Sequence, residues 1–281
     1  MSIYKDYNIY FYNHFHNGDV FYSKEFVRDI KSKIGNSHYY IHYNDFSILK
    51  DFDIEQIRDN TPDRKFSLSK KDNNLYINTW VGQAEAKYLK YNCSLKSNYL
   101  IYLDIYKSLG IEIQPIGFYI PSVDFNNVQK INIDKNSILV CNNNVHSGQS
   151  DNFDFDPVID VLSNKYKNII FIITNDTKLN KSNIKKVKDL LGYDMNNLLE
   201  TSYISTQTDI IIGRGSGPYC FSHIKENMKN PNKTFIVFTK FENEGKWVPD
   251  SECQAKQHWF GEYHNYEQII SSIENVLKNK I

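Results

Sequence analysis

The run Asn168-Ile169-Ile170-Phe171-Ile172-Ile173-Thr174 is apolar at every position between its polar ends. A strand with one wet face alternates polar and apolar residues, so an unbroken run of this kind is covered on both faces, as in a parallel sheet flanked by helices. Ser137-Ile138-Leu139-Val140-Cys141, Asp209-Ile210-Ile211-Ile212 and Thr234-Phe235-Ile236-Val237-Phe238 supply further strands. Helical patterns stand between and after them. One starts at Phe155 or Pro157 and runs through Leu162, a basic one covers 184–191, and a last one over 267–278 carries Ile269, Ile270, Ile273 and Leu277 on one stripe. Repeated strand and helix alternation implies a parallel sheet with right-handed crossovers, so the second half reads as Rossmann-like. The lysines of 184–191 form a solvated face. The aromatic stretch 246–266 reads as a loop that either closes over a ligand or clasps one domain to the other.

The first half repeats the alternation less regularly. Asn8-Ile9-Tyr10-Phe11-Tyr12-Asn13 predicts a strand, and Val20, Phe26, Val27, Ile30 and Ile34 then share one face of a helix. Ser37-His38-Tyr39-Tyr40-Ile41-His42-Tyr43 predicts the next strand, 46–57 a short helix, 74–80 a strand and 84–109 a helix ended by Gly110. The polar, aperiodic stretch 120–127 marks a boundary, giving domains 1–125 and 126–281. The expected fold class is α/β, with two Rossmann-like parallel-sheet domains.

Charge and composition exclude several classes. The 281 residues carry 33 Lys and Arg against 33 Asp and Glu, so no global charge draws the chain to nucleic acid or to an anionic membrane. No apolar run approaches the ~20 residues that span a bilayer, and the N-terminus lacks a signal-peptide core, so the expectation is a cytoplasmic protein. Cys93, Cys141, Cys220 and Cys253 are scattered without a CxxC pair, which speaks against a disulfide framework or structural zinc.

Two stretches carry candidate chemistry. In Asp209-Ile210-Ile211-Ile212-Gly213-Arg214-Gly215-Ser216-Gly217-Pro218-Tyr219-Cys220, a β-branched run ends in a glycine turn and Pro218 suits the first turn of a helix capped by Ser216 or Gly217. Unpaired amides and the helix dipole favour an anion there, and Arg214 would add a fixed charge, so the turn is a candidate phosphate or diphosphate site; a sharp structural turn is the plainer alternative. In the first half, His14, His16, Asn17 and Asp19 follow a strand and belong at its carboxyl end, where α/β sheets bind ligands. Asp19 also suits a helix start as a dipole charge. His14 and His16 lack further ligands of matching spacing, so no metal is expected. Either an imidazole or the carboxylate suits a general base. Trp80, beside Gly82, reads as a sugar-stacking platform or as partly buried core.

The layout of most of the chain resembles the GT-B glycosyltransferases. Gly18-Asp19-Val20 after the first strand and Ile211-Ile212-Gly213-Arg214-Gly215-Ser216-Gly217-Pro218-Tyr219 resemble their heptosyltransferase-type branch. The resemblance implies two domains facing a cleft and a metal-independent, inverting transfer of a sugar from a nucleotide-diphosphate donor to an acceptor hydroxyl, with no cofactor. It implies donor contacts from Arg214, Gly215, Ser216, Gly217, Pro218 and Tyr219, from Asn142, Asn144, His146, Ser147 and Asn175, and from Ser202 and Tyr203 near the base and ribose. The acceptor would lie by His14, Asn17, Gly18 and Trp80, with Asp19 as base and His16 as second candidate. A non-catalytic nucleotide- or glycan-binding module, and a nucleotide-sugar epimerase or hydrolase, remain open alternatives on the same fold.

Overall fold

A computed structural model describes residues 4–13, 17–41, 46–58, 66–80, 95–146, 148, 150–192, 198–240, 253–261, 263 and 265–278. The chain separates into two compact units, one ending at Asp124 and the other beginning at Phe125, with Cys253 grouped with the first.

In the first unit, β1 (Asn8–Tyr12) is followed by α1 (Asn17–Tyr22), α2 (Lys24–Lys33) and β2 (Ser37–Ile41). The helix expected from Val20 to Ile34 is therefore two helices. Ser23 breaks it: its amide reaches the carbonyls of both Asp19 and Val20 at 3.2 Å, and its hydroxyl donates to Val20 O at 2.8 Å. Competition of a serine hydroxyl for the local backbone is a known cause of such a break. The helix expected over 46–57 is instead a single 3-10 turn, Phe46–Leu49, and then β3 (Glu55–Ile57). β4 (Leu68–Lys71) and β5 (Asn74–Asn78) form a hairpin whose turn holds Asp72 at φ 54, a left-handed conformation that Asp tolerates. The order is β3-β2-β1-β5-β4. All pairs are parallel except β4 with β5, which corrects the expectation of a wholly parallel sheet. α3 (Leu95–Leu109) supplies Tyr102 and Tyr106, which pack on Phe26 of α2 at 4.2 and 5.4 Å between ring centroids.

The inner side of α2 carries charge, and each charge is met. Lys24 Nζ lies 2.6 and 2.5 Å from the two carboxylate oxygens of Asp51, with neither side chain exposed, and burial holds its pKa below the usual lysine value. Glu25 accepts from the Ser122 amide at 2.9 Å, and Asp29 from Lys33 at 2.7 Å and from the Tyr106 hydroxyl. Burial of charge is tolerable only with such pairing.

The second unit contains β6 (Ser137–Cys141), α4 (Asp156–Lys165), β7 (Ile170–Ile173), β8 (Ile184–Lys186), α5 (Val187–Leu191), α6 (Leu198–Gln207), β9 (Ile210–Arg214), α7 (Gly217–Phe221), α8 (Lys225–Met228), β10 (Thr234–Phe238), β11 (Lys256–Phe260) and α9 (Tyr266–Leu277). Its six strands are parallel in the order β11-β10-β9-β6-β7-β8. Counted from β6, this is the 3-2-1-4-5-6 order of the doubly wound fold. Every residue of β6, β9 and β10 is buried, as an apolar strand covered on both faces requires. Ile138, Val140, Ile210, Ile212, Ile236 and Phe238 meet α4 and α9 on one face.

Two expectations for this half change. Residues 184–186 are an edge strand, not the first turn of a helix, because Ile184 joins the core beside Phe171. Within the aromatic stretch taken as loop, 256–260 is strand β11, while Trp247 and the rest of 241–252 fall outside the described residues. Among the described residues no helix is long and apolar enough to cross a membrane.

Lys233 closes the end of α6. It is 1% exposed, and its ammonium donates to the carbonyls of Ser205 at 2.7 Å, Thr206 at 2.9 Å and Thr208. Burial lowers its pKa to about 8, opposed by the charge of Asp209. Lys233→Met leaves those carbonyls without their donor and is expected to cost ~2–4 kcal/mol in urea unfolding at pH 7. From pH 8 to 10.5 the unfolded lysine holds the extra proton, so this residue makes stability rise with pH across that window. The variant should lose that rise.

Candidate functional site

In a doubly wound sheet the ligand crevice lies beyond the carboxyl ends of the two strands at which the order reverses. Here those strands are β6 and β9, so the loop starting at Asn142 and the turn Gly215-Ser216-Gly217 flank the switch point. Gly213 makes the close approach between them possible. A Cβ on it would stand 2.8 Å from Cys141 Cβ, 3.0 Å from Cys141 O and 3.1 Å from the Tyr219 ring. Its role is strand packing, not approach to a ligand.

Arg214 corrects the sequence expectation most sharply. Strand β9 continues through it, and the alternation of Ile210, Ile212 and Arg214 sends its side chain to the α4 face. It is 1% exposed and donates to the carbonyls of Asn142 at 2.8 Å and Phe153 at 2.9 Å. Its guanidinium lies over Phe153 and Phe155, 5.0 and 4.9 Å from the ring centroids, and burial lowers its pKa. It braces the crevice and does not line it.

Ser216 stands at the cap position of α7, but its hydroxyl makes no capping bond. That oxygen is buried and has no hydrogen-bond partner among the described residues. Its amide bonds Arg214 O at 2.6 Å, which folds the turn tightly. Pro218 is buried in the first turn of α7. Tyr219, expected to contact a donor, is fully buried and packs edge-on against Phe235 and His223. Ser202, also expected near a ligand, is buried in α6 and donates to Phe221 O at 2.5 Å, tying α6 to α7. Its neighbour Tyr203 is half-buried against Phe125, 5.4 Å between centroids.

Asn142 is a knot, not a free ligand group. Its amide donates to Asp176 O at 3.2 Å, and its side-chain oxygen accepts from the Asn175 amide at 2.8 Å. The ends of β6 and β7 are thereby joined. Thr174 Oγ1 reaches Asn143 Oδ1 at 2.6 Å in the same corner. Asn144, His146 and Asn175 are exposed around it, and Ser147 lies outside the described residues.

The first sheet reverses its order between β1 and β5, so its crevice lies beyond Tyr12 and Asn78. Asn17, Gly18 and Asp19 open α1 there and are half-buried; Trp80 follows β5, also half-buried, with its amide on Asn78 Oδ1 at 3.0 Å. Asn17 Oδ1 is buried without a partner among the described residues. His14 and His16 lie outside the described residues. Beneath Asp19 is a polar cluster that sequence reading missed. Thr79 Oγ1 donates to Tyr12 O at 3.1 Å, accepts from Asn13 at 3.3 Å and meets the Tyr40 hydroxyl at 3.2 Å, which meets Ser23 Oγ at 2.9 Å. Burial, with a smaller contribution from Asp19, pushes the Tyr40 phenol up to about 12. The signal available in sequence was a polar residue closing an apolar strand, at Asn13 and Thr79. Among the described residues no group of three or more His, Cys, Asp or Glu is placed to hold a metal ion.

No protein-family model and no curated protein sequence matches the chain. Solved structures do. A glycosyl transferase of family 9 from Veillonella parvula aligns over 99% of this chain and 99% of its own, at 10% identity and a TM-score of 0.52. E. coli heptosyltransferase WaaC, solved with ADP, aligns over 97% of this chain and 99% of its own, at 8% identity and 0.54. Heptosyltransferase TibC, described as dodecameric and iron-containing and solved with ADP-D-beta-D-heptose, aligns over 99% and 78%, at 10% identity and 0.54. The chain has the two-sheet α/β fold of these glycosyltransferases. They belong to the group that Gly18-Asp19-Val20 and the glycine turn resemble.

Two outcomes follow for the core behind the turn. Gly213→Ala is expected to cost ~1–3 kcal/mol in chemical unfolding, since Cys141 and Tyr219 must move to admit the methyl. His223, fully buried, has its pKa depressed by burial from 6.5 to about 3. Between those values the unfolded chain binds a proton that the folded chain excludes, so stability falls as pH drops through the window, by up to ~1.4 kcal/mol per unit. His223→Leu should flatten the decline measured by urea unfolding from pH 6.5 to 4.

Proposed function

We propose that the protein is a glycosyltransferase that moves a sugar from a nucleoside-diphosphate donor to an acceptor hydroxyl. One observation carries the reading: β9 ends, at the switch point of a 3-2-1-4-5-6 sheet, in a glycine turn whose Ser216 hydroxyl is buried and without a partner among the described residues. Nucleotides suit such a position, and the end-to-end backbone likeness to glycosyltransferases supports glycosyl transfer as the chemistry. The donor diphosphate lies at Gly215, Ser216 and Gly217, where amides and a hydroxyl meet the leaving group's charge. Asn144, His146 and Asn175 edge the same crevice, and Arg214 holds it in shape from behind.

The acceptor belongs to the first unit. Asp19 takes the proton of the acceptor hydroxyl as its oxygen bonds to the anomeric carbon and the bond to the diphosphate oxygen breaks. In-line attack of this kind inverts the configuration. His16 is the second candidate base. The chemistry proposed needs no metal, because amide dipoles and hydroxyls stabilise the departing diphosphate.

Thermal unfolding against GDP, UDP, ADP, CMP and dTDP, with magnesium and with a chelator, tests the donor site. A ligand at a hundredfold excess over its Kd contributes ~2.7 kcal/mol, or roughly 5 °C for a chain of this size. One diphosphate should give that shift with the chelator present, and Gly217→Asp should remove it. Among the described residues a Cβ at Gly217 meets Leu198, at 3.4 and 3.9 Å, which is ordinary contact, and an unchanged circular dichroism spectrum checks that the variant keeps its fold. Asp19→Asn should leave nucleotide affinity intact and lower transfer by ~10²-fold or more. Absence of a shift with every nucleotide would overturn the donor assignment, and nucleotide binding without turnover would indicate a binding module.

A further inference from the structure

Edge strand β11 and helix α9 flank an open pocket of about 430 Å³, lined by Thr234, Lys256, His258, Phe260, Ser272, Asn275 and Val276. We propose that this pocket binds a small phosphomonoester of sugar-phosphate size, at a site separate from the glycine turn. The argument begins with the strand register. Thr234, Ile236 and Phe238 of β10 pair with Lys256, His258 and Phe260 of β11, so these three β11 residues share the sheet face that packs on α9. On β10 that face is apolar below its first residue. On β11 it presents a lysine and a histidine.

The helix answers in kind. Ser272, Asn275 and Val276 are spaced i, i+3 and i+4 and lie on one face of α9. The pocket wall thus holds a hydroxyl and an amide beside the ammonium and the imidazole, and among the described residues no carboxylate lines it. At its floor, Thr234 is fully buried, and its Oγ1 has no hydrogen-bond partner among the described residues. A buried hydroxyl in that condition costs free energy unless a ligand or water meets it. Positive charge, several donors and no acid define an anion site, and Lys256 supplies a point charge of the kind that phosphate takes. Phe260 and Val276 give the remaining wall an apolar surface suited to the carbon skeleton. The volume falls in the range of small-ligand pockets and exceeds what a bare anion needs.

The site is distinct from the proposed donor crevice. Thr234 and Lys256 are the first residues of their strands, whereas the glycine turn follows Arg214, the last residue of β9, which pairs with Phe238 at the far end of β10.

Isothermal titration of the whole chain with ribose 5-phosphate, inorganic phosphate and ribose tests the assignment. Ribose 5-phosphate should bind, inorganic phosphate should bind about tenfold more weakly, and ribose should not bind. Lys256→Glu, at an exposed position, should abolish ribose 5-phosphate binding with an unchanged circular dichroism spectrum, and Thr234→Val should weaken it. Gly217→Asp should leave it intact, which separates this result from the fate of the donor site. No heat with either phosphate, equal binding of ribose, or binding that survives Lys256→Glu and disappears in Gly217→Asp would each overturn it.

Discussion

The bond from the Arg214 guanidinium to the carbonyl of Asn142 holds the second unit's working end together. A parallel strand buried on both faces can offer function only at its ends, because its interior positions are committed to packing. β6 and β9 end side by side, and their carbonyls and loops diverge there. A buried arginine with three carbonyl acceptors, those of Asn142, Asp151 and Phe153, and two aromatic rings beneath it spans the divergence, linking the end of β9, the loop after β6 and the approach to α4 at Phe153. Its desolvation is unfavourable, as its lowered pKa records, and the carbonyls and ring faces offset that cost.

From this brace the neighbouring groups take their positions. With its carbonyl held by Arg214, Asn142 can turn its side chain to the end of β7, where it meets the Asn175 amide and Asp176 O. Three strand ends are thus fixed by two side chains. Arg214 O then receives the Ser216 amide, and the chain reverses into α7 with the serine hydroxyl left without a protein partner. The first unit reaches a comparable rigidity differently. There the chain of hydroxyls through Ser23, Tyr40 and Thr79 fixes the junction of α1 and α2 against the ends of β1 and β5.

The central strands were legible in the sequence because burial on both faces leaves an apolar run that nothing else explains. The positions of the glycine turn and of Asp19 followed from them, since each stands just past such a run. Edge strands were not legible. β11 reads Lys256-Gln257-His258-Trp259-Phe260, and half-exposed residues on an edge carry no periodic signal. β8 was hidden for another reason: Ile184 begins it and Val187 begins the next helix, so one basic stretch serves two elements. The break at Ser23 escaped because the apolar spacing on either side of it continues in phase, while the hydroxyl that causes it acts through backbone geometry.

Strand parity explains why the candidate site was only partly legible. A glycine turn announces that a ligand or another strand comes close, and it does not say which. At Gly213 the close neighbour is Cys141, and at Arg214 the alternation of the strand points the cation inward. Tyr219 and Ser202, donor contacts that the resemblance implied, lie on helices whose inner faces carry polar atoms, and both are fully buried. What distinguishes a lining residue is a position past the last ladder bond and on the outer side of the turn. Asn144 and Asn175 stand past their strands and are exposed, whereas Arg214, Tyr219 and Ser202 are buried. Asp19, in the first turn of α1, likewise stands beyond the last paired residue of β1, Tyr12, and is half-buried.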